Sequence, residues 1–211
     1  FLTRVYVNGC ATLPVGKVRY GVMLNDDGIV LDDGTTARIS ENQFYMTTTT
    51  AQAGEVMSWL EYLLQMQWPE LNVQVASLTD EWAGMAVSGP KAREVLQKLD
   101  PSFDISHEAL PHMSFVEGRL GAYPVRVYRI SFSGELSYEV ATPSNYGLGL
   151  WKDIVAAGAE FGLEPYGTEA LHVLRAEKGY IVVGDETDGT TTPIDVGLDG
   201  LVSKKKADFL G

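Results

Sequence analysis

The hydrophobic period of this chain switches from two residues to the helical period and back, and that alternation limits its fold more than any other feature. Lys17 to Leu24 and Ile29 to Leu31 read as strands flanking the turn Asn25-Asp26-Asp27-Gly28, whose residues tolerate positive φ or bond their own backbone. Thr35 to Ile39 and Gln43 to Thr49 form a second hairpin around Ser40-Glu41-Asn42. Then Val56, Trp59, Leu60, Leu63, Leu64 and Gln67 recur at three- and four-residue spacing, which predicts a helix over Ala51 to Gln67, closed by Trp68-Pro69. Strands are expected again at Val73 to Ser77 and Ala83 to Val87, then a short helix at Lys91 to Leu99. Further strands follow at Phe115 to Arg119, Pro124 to Ser131 and Glu135 to Ala141. Amphipathic helices are expected at Asn145 to Phe161 and Thr168 to Lys178, and no regular element from Gly184 to Gly200. Strand pairs closed by a helix, twice over, predict an α+β chain with antiparallel sheet and an internal duplication.

The stretch Gly21 to Arg38 also carries the first chemistry. Successive strand side chains point to opposite faces, so a strand that lasts to Asp33 turns one of Asp32 and Asp33 inward and the other outward. An inward carboxylate is a candidate for proton or iminium chemistry; the alternative is a solvated Asp-Gly turn. Further on, Glu135, Ser137 and Glu139 share one face of a strand, while Leu136, Tyr138 and Val140 share the other. The apolar face belongs to a core. The acidic face is exposed to solvent or lines a polar cavity, where a carboxylate fork suits a ligand edge with two parallel donors.

Charge and cysteine count exclude several partners. A net charge of -12 opposes duplex nucleic acid and anionic membrane alike. One cysteine, Cys10, allows no internal disulfide and no cysteine metal cluster, and the three histidines are not at metal-ligand spacing. No apolar run approaches a membrane span, so the cytoplasm is the default expectation. Lys204-Lys205-Lys206 reads as a solvated tail, or as an attraction for a polyglutamate tail or a flavin phosphate. A start at Phe1-Leu2 and a stop at Leu210-Gly211 suggest a piece of something longer.

Several short motifs then agree in order and spacing. MLNDDGIVLDDG resembles the MLN-x-x-G-x-x-x-DD segment of the folate-binding aminomethyltransferase family, the T-protein of glycine cleavage and its relatives. WAGMAVSGPKAREVL resembles that family's strand-to-helix GP motif, FSGELSYEV its TGE-x-x-YE strand, and LRAEKGY its LR-x-E-x-G helix end. Within the family, RYGVMLNDDGIVLDDGTTARI and PYGTEALHVLRAEKGY resemble the alpha-subunit branch of bacterial heterotetrameric sarcosine oxidases.

The resemblance implies a duplicated antiparallel-sheet and helix fold. Residues 1–200 would form an N-terminally truncated folate-binding domain of two intertwined α+β subdomains, and 201–211 the start of a linker to a further domain. It implies a pocket for tetrahydrofolate, with Asp32 facing the reactive nitrogens, Glu139 on the pterin edge, and Tyr138, Tyr20 and Arg175 as further contacts. The implied activity traps the one-carbon unit of sarcosine, oxidised on a flavin in a partner beta subunit, as 5,10-methylenetetrahydrofolate. Gamma and delta subunits complete the implied assembly, and NAD belongs to a region of the alpha subunit outside this chain. Two departures narrow the choice. Leu171 stands where aminomethyltransferases carry a folate-contacting arginine, and Lys178-Gly179-Tyr180 lacks the cysteine of the related iron-sulfur assembly factors. The alternatives are a glycine-cleavage aminomethyltransferase and a non-catalytic scaffold for the flavin-bearing subunit.

Overall fold

Alternating residues from Val18 to Met46 fold as a three-stranded antiparallel sheet in the order β1 (Val18–Leu24), β2 (Val30–Arg38), β3 (Phe44–Met46). The computed structural model describes residues 1–211 and divides into two units, one of residues 1–77 with 181–211, the other of 78–180. In the first, the β1–β2 turn closes because the Asn25 side-chain oxygen accepts the backbone N–H groups of Asp27 and Ile29, both at 3.0 Å, while Gly28 takes φ 78°. Met23 pairs with Asp32 and Val22 with Asp33, and the register then slips between Met23 and Leu24 so that Leu24 faces Val30.

Both faces of this sheet are covered. Met23 packs with Val5 of the one-turn helix α1 (Leu2–Val5), with Tyr6 and Cys10, and with Val56 and Leu60 of α2 (Ala53–Tyr62). Val22 and Leu24 pack with Val7, Val30 and Val183. Each such fully buried aliphatic side chain contributes roughly 1.5–3 kcal/mol. Segment 201–211, expected as the start of a linker, lies on this unit: Leu201, Val202 and Phe209 pack on the second cluster, and Ser203 N–H donates to Val7 C=O at 3.0 Å. Lys206, from the basic run, donates to Tyr6 C=O and sits over the Phe209 ring at 4.5 Å.

The second unit holds a four-stranded antiparallel sheet in the order β4 (Trp82–Ser88), β7 (Ser137–Pro143), β6 (Tyr123–Tyr128), β5 (Phe115–Leu120). One face buries Val87, Val125, Val127, Tyr138 and Val140 against α3 (Ala92–Gln97) and α4 (Gly147–Gly158), which supply Ala92, Val95, Leu96, Leu150 and Ile154. The last helix, α5 (Thr168–Lys178), ends at Gly179, whose φ of 82° is the left-handed stop.

Three sequence expectations change. Val73 to Ser77 is not a strand: the segment pairs with no ladder and is mostly exposed, so β-branched alternation alone does not hold it in a sheet. The helix expected over Ala51 to Gln67 is three pieces, a 3-10 turn at Thr50–Gln52, α2, and a π turn at Leu63–Gln67 closed by Trp68 N–H on Leu63 C=O at 2.8 Å. The strand expected from Glu135 begins at Ser137, because Gly134 turns the chain with φ 84° and leaves Glu135 exposed. No helix is long and apolar enough to cross a membrane.

Candidate functional site

In the first unit β2 continues past Asp33 to Arg38, so alternation separates the two carboxylates as expected. Asp32, across from Met23, is 0% exposed on the side of the Tyr6–Met23 core. Its Oδ2 accepts the Thr49 backbone N–H at 3.1 Å, and its Oδ1 has no partner. Burial pushes the Asp32 carboxyl up to about 6; Thr49 opposes this and the nearby Asp33 charge adds to it.

Asp33 is half-buried on the other face. There the Tyr20 hydroxyl donates to its Oδ2 at 2.6 Å, and the Thr49 hydroxyl approaches Oδ1 at 3.4 Å. Burial raises the Asp33 carboxyl, while the Tyr20 and Thr49 hydrogen bonds pull the other way. Tyr20 is held strongly in its neutral, donating form, by burial first and then by the Asp33 charge. Oδ1 of Asp33 is therefore the loosely held acceptor of the pair. Asp32, the acid that the resemblance sets against the ligand, is enclosed in this structure. Asp33, which the resemblance passed over, is the accessible acid.

Gly34 makes this arrangement possible. A Cβ at Gly34 would collide with the Thr47 carbonyl, lying 2.8 Å from its carbon, and the Thr47 N–H bonds Thr35 C=O at 2.9 Å. The absent side chain lets 47–49 run close beside β2 and bring Thr49 to both acids. Gly34→Ala is expected to cost about 1–3 kcal/mol, since backbone and not a flexible side chain must yield. Urea denaturation of the variant beside wild type measures this, and an unchanged midpoint would refute the argument.

The second unit presents Glu139 on β7, opposite Ala86 of β4 and Tyr128 of β6. Glu139 is half-buried and no protein donor or cation reaches its carboxyl within bonding distance, and burial raises its pKa. On the same face Ser137 and Ser88 hydroxyls meet at 2.8 Å, and Tyr166 OH lies 3.3 Å from Ser88. A central-strand carboxylate without donors is unusual unless something else supplies them. Two parallel N–H groups on a flat heterocycle fit that requirement.

The other expected contacts are placed elsewhere. Tyr138 is 0% exposed in the core, on the side of β7 opposite Glu139, with its hydroxyl receiving Arg93 Nε at 2.9 Å. Arg175, expected as a folate contact, is buried and turned to its own helix end, where Nη1 donates to Tyr180 C=O at 3.2 Å. Tyr20 is the one further contact that joins a candidate acid directly. No group of three or more metal-binding side chains occurs.

Comparison with known proteins gives a consistent result. The family described as the GCVT N-terminal domain matches residues 1–206. The chain is similar to the sarcosine oxidase alpha subunit of Corynebacterium sp. strain P-1, 53% identical over 212 residues, which cover all of this chain and 22% of the relative. It is also similar to the sarcosine oxidase alpha subunit of Rhizobium meliloti strain 1021, 51% identical over 213 residues, covering all of this chain and 21% of that protein. The chain thus spans about a fifth of the length of these relatives. Its fold matches the crystal structure of the glycine cleavage system aminomethyltransferase T from Bartonella henselae with TM-score 0.85 and 27% identity, over all of this chain and 55% of the other.

Proposed function

The chain belongs to the GCVT N-terminal domain family, and on that premise we propose that it binds tetrahydrofolate as part of a sarcosine oxidase alpha subunit. There it captures the one-carbon unit of sarcosine as 5,10-methylenetetrahydrofolate. The observation that carries the binding proposal is Glu139, a half-buried carboxylate on a central strand with no protein donor. Its two oxygens match the amino and ring N–H groups on one edge of a pterin. The sarcosine part of the proposal is supported by the likeness to sarcosine oxidase alpha subunits more than half identical over the whole chain.

The chemistry assigned to this chain is proton handling. A flavin on a partner subunit would supply the oxidation of sarcosine to its iminium. Capture of the iminium carbon by the two folate nitrogens would release two protons, and the departing glycine amine would take up both, so an acid of this chain that accepts and returns them serves better than one that keeps them. Asp33 suits this: Tyr20 holds Oδ2 at 2.6 Å, while Oδ1 has only the 3.4 Å contact to Thr49. Its negative charge also favours the incoming cation. Asp32, behind it, anchors Thr49 through the 3.1 Å bond and keeps that hydroxyl in place. No residue of this chain is assigned to flavin or NAD, and the beta, gamma and delta subunits remain part of the proposal.

Glu139→Gln tests the pterin assignment. Calorimetric titration with 5-formyltetrahydrofolate is expected to show saturable binding by wild type, weakened about tenfold or more in the variant, as loss of a charged bidentate acceptor predicts. Equal affinities would reject the assignment.

A further inference from the structure

On the core side of β7, away from the face that carries Glu139, two arginines converge on one phenol. Arg93 of α3 donates from Nε to the Tyr138 hydroxyl at 2.9 Å and to Ile105 C=O at 3.1 Å. Arg129, just after β6, lies over the Tyr138 ring with its guanidinium carbon 5.3 Å from the centroid, and its Nη1 donates to Ser137 C=O at 3.2 Å. Neither takes part in the ion pairs Arg4–Glu70, Lys91–Glu94, Lys98–Glu160 and Arg126–Glu117. Both bonds of Arg93 come from Nε, so its two terminal nitrogens meet no protein acceptor. The Arg129 Nε is buried without a partner.

Two like charges on one ring, half-buried and unneutralised, are costly in a chain that holds an excess of twelve acids. Stacking on Tyr138 accounts for where Arg129 lies, but it does not satisfy the fork of N–H groups that each guanidinium offers. His112, beside Arg129, senses the same imbalance: burial first and then the Arg129 charge lower its pKa. Planar paired donors in neutral company match the oxygens of a carboxylate or phosphate.

We propose that Arg93 and Arg129, meeting over Tyr138, form a binding site for an oxyanion, a carboxylate or phosphate group. It is separate from the proposed pterin site, since Tyr138 and Glu139 point to opposite faces of β7. In this acidic protein the site would admit an anion that the rest of the surface repels.

The test titrates the full chain with inorganic phosphate and with glutarate at constant ionic strength, following heat and the ring resonances of His112. Saturation at roughly millimolar concentration is expected, with the His112 signals moving in proportion. Arg93→Gln and Arg129→Gln are each expected to weaken binding about tenfold, from loss of charge-assisted hydrogen bonds. Arg129→Lys keeps the charge but loses the fork and falls between. Phosphate alone saturating identifies a phosphate-bearing ligand; glutarate binding as well or better identifies a carboxylate. If a glutamine variant does not fold, Arg129→Lys carries the comparison. No saturable binding, binding that leaves His112 unmoved, or variants that bind like wild type would each overturn the proposal.

Discussion

Asp32→Asn is expected to gain stability relative to wild type as pH rises, although it removes a buried hydrogen-bonding group. The Asp32 carboxyl is raised from 3.8 to about 6, burial being the largest cause. A carboxyl raised in the folded state contributes its stability below the unfolded value, where both states are protonated. That contribution is lost as pH climbs through the folded value, because the unfolded chain then holds fewer protons than the native one. The window is therefore pH 4 to 6, and the loss is about 3 kcal/mol for a shift of this size. Asparagine stays neutral throughout. Its oxygen can keep the Thr49 N–H bond, while its amide nitrogen replaces the Oδ1 that has no partner. The new unpaired amide costs about 1–3 kcal/mol at every pH, so the absolute sign at pH 4 is negative and the difference closes or reverses by pH 7.5. Thermal melts of both proteins at several pH values measure it. The melting temperature of the variant minus that of wild type is expected to rise from a negative value at pH 4 towards or past zero at pH 7.5, by a few degrees per kcal/mol. A constant offset across that range would mean that Asp32 ionises normally in the folded chain.

The sequence makes most elements legible because each period is sustained. Thr168 to Lys178 is read to the residue, since Gly179 supplies the left-handed stop and Tyr166-Gly167 a tight entry. Val73 to Ser77 fails because a strand needs a neighbour with free backbone groups, which no local pattern reports. The carboxylate pair shows a sharper limit. Alternation says that Asp32 and Asp33 part company, and it is right, but it cannot say which one a ligand reaches. The choice depends on register, and the bulge between Met23 and Leu24 shifts register by one within the hairpin. Beyond it Tyr20 sits opposite Thr35, one diagonal step from Asp33, and reaches that acid. Tyr138 and Glu139 are the reverse case. The alternation Leu136, Tyr138, Val140 already assigns Tyr138 to the core, where the structure places it, whereas the motif alone groups it with Glu139.

Asp33→Asn carries the largest expected loss of activity. Asparagine is nearly isosteric and keeps an acceptor for Tyr20, so the fold and the 2.6 Å contact survive in geometry while the charge and the basicity go. Loss of a positioned base and of the field on the cationic carbon predicts a drop of about 10² to 10³-fold in formation of 5,10-methylenetetrahydrofolate by the assembled oxidase. On the proposed function, sarcosine consumption would not pass through this acid and is expected to hold within about twofold, its one-carbon unit released by hydrolysis as formaldehyde. Short incubations that measure sarcosine, free formaldehyde and the folate product together read the partition directly. Tyr20→Phe removes only the donor to Oδ2, frees both oxygens, and is expected to lower the folate product about tenfold and raise the pH at which it appears. The sign follows from the linkage: the Tyr20 hydrogen bond pulls the Asp33 carboxyl down against burial, so its removal lets the pKa rise and moves ionisation to higher pH. A folate yield unchanged in Asp33→Asn but abolished in Asp32→Asn would return the reacting role to the enclosed acid and require the 47–49 segment to open for it. If both variants partition like wild type, neither carboxylate handles the proton and the scaffold reading of this chain gains the ground.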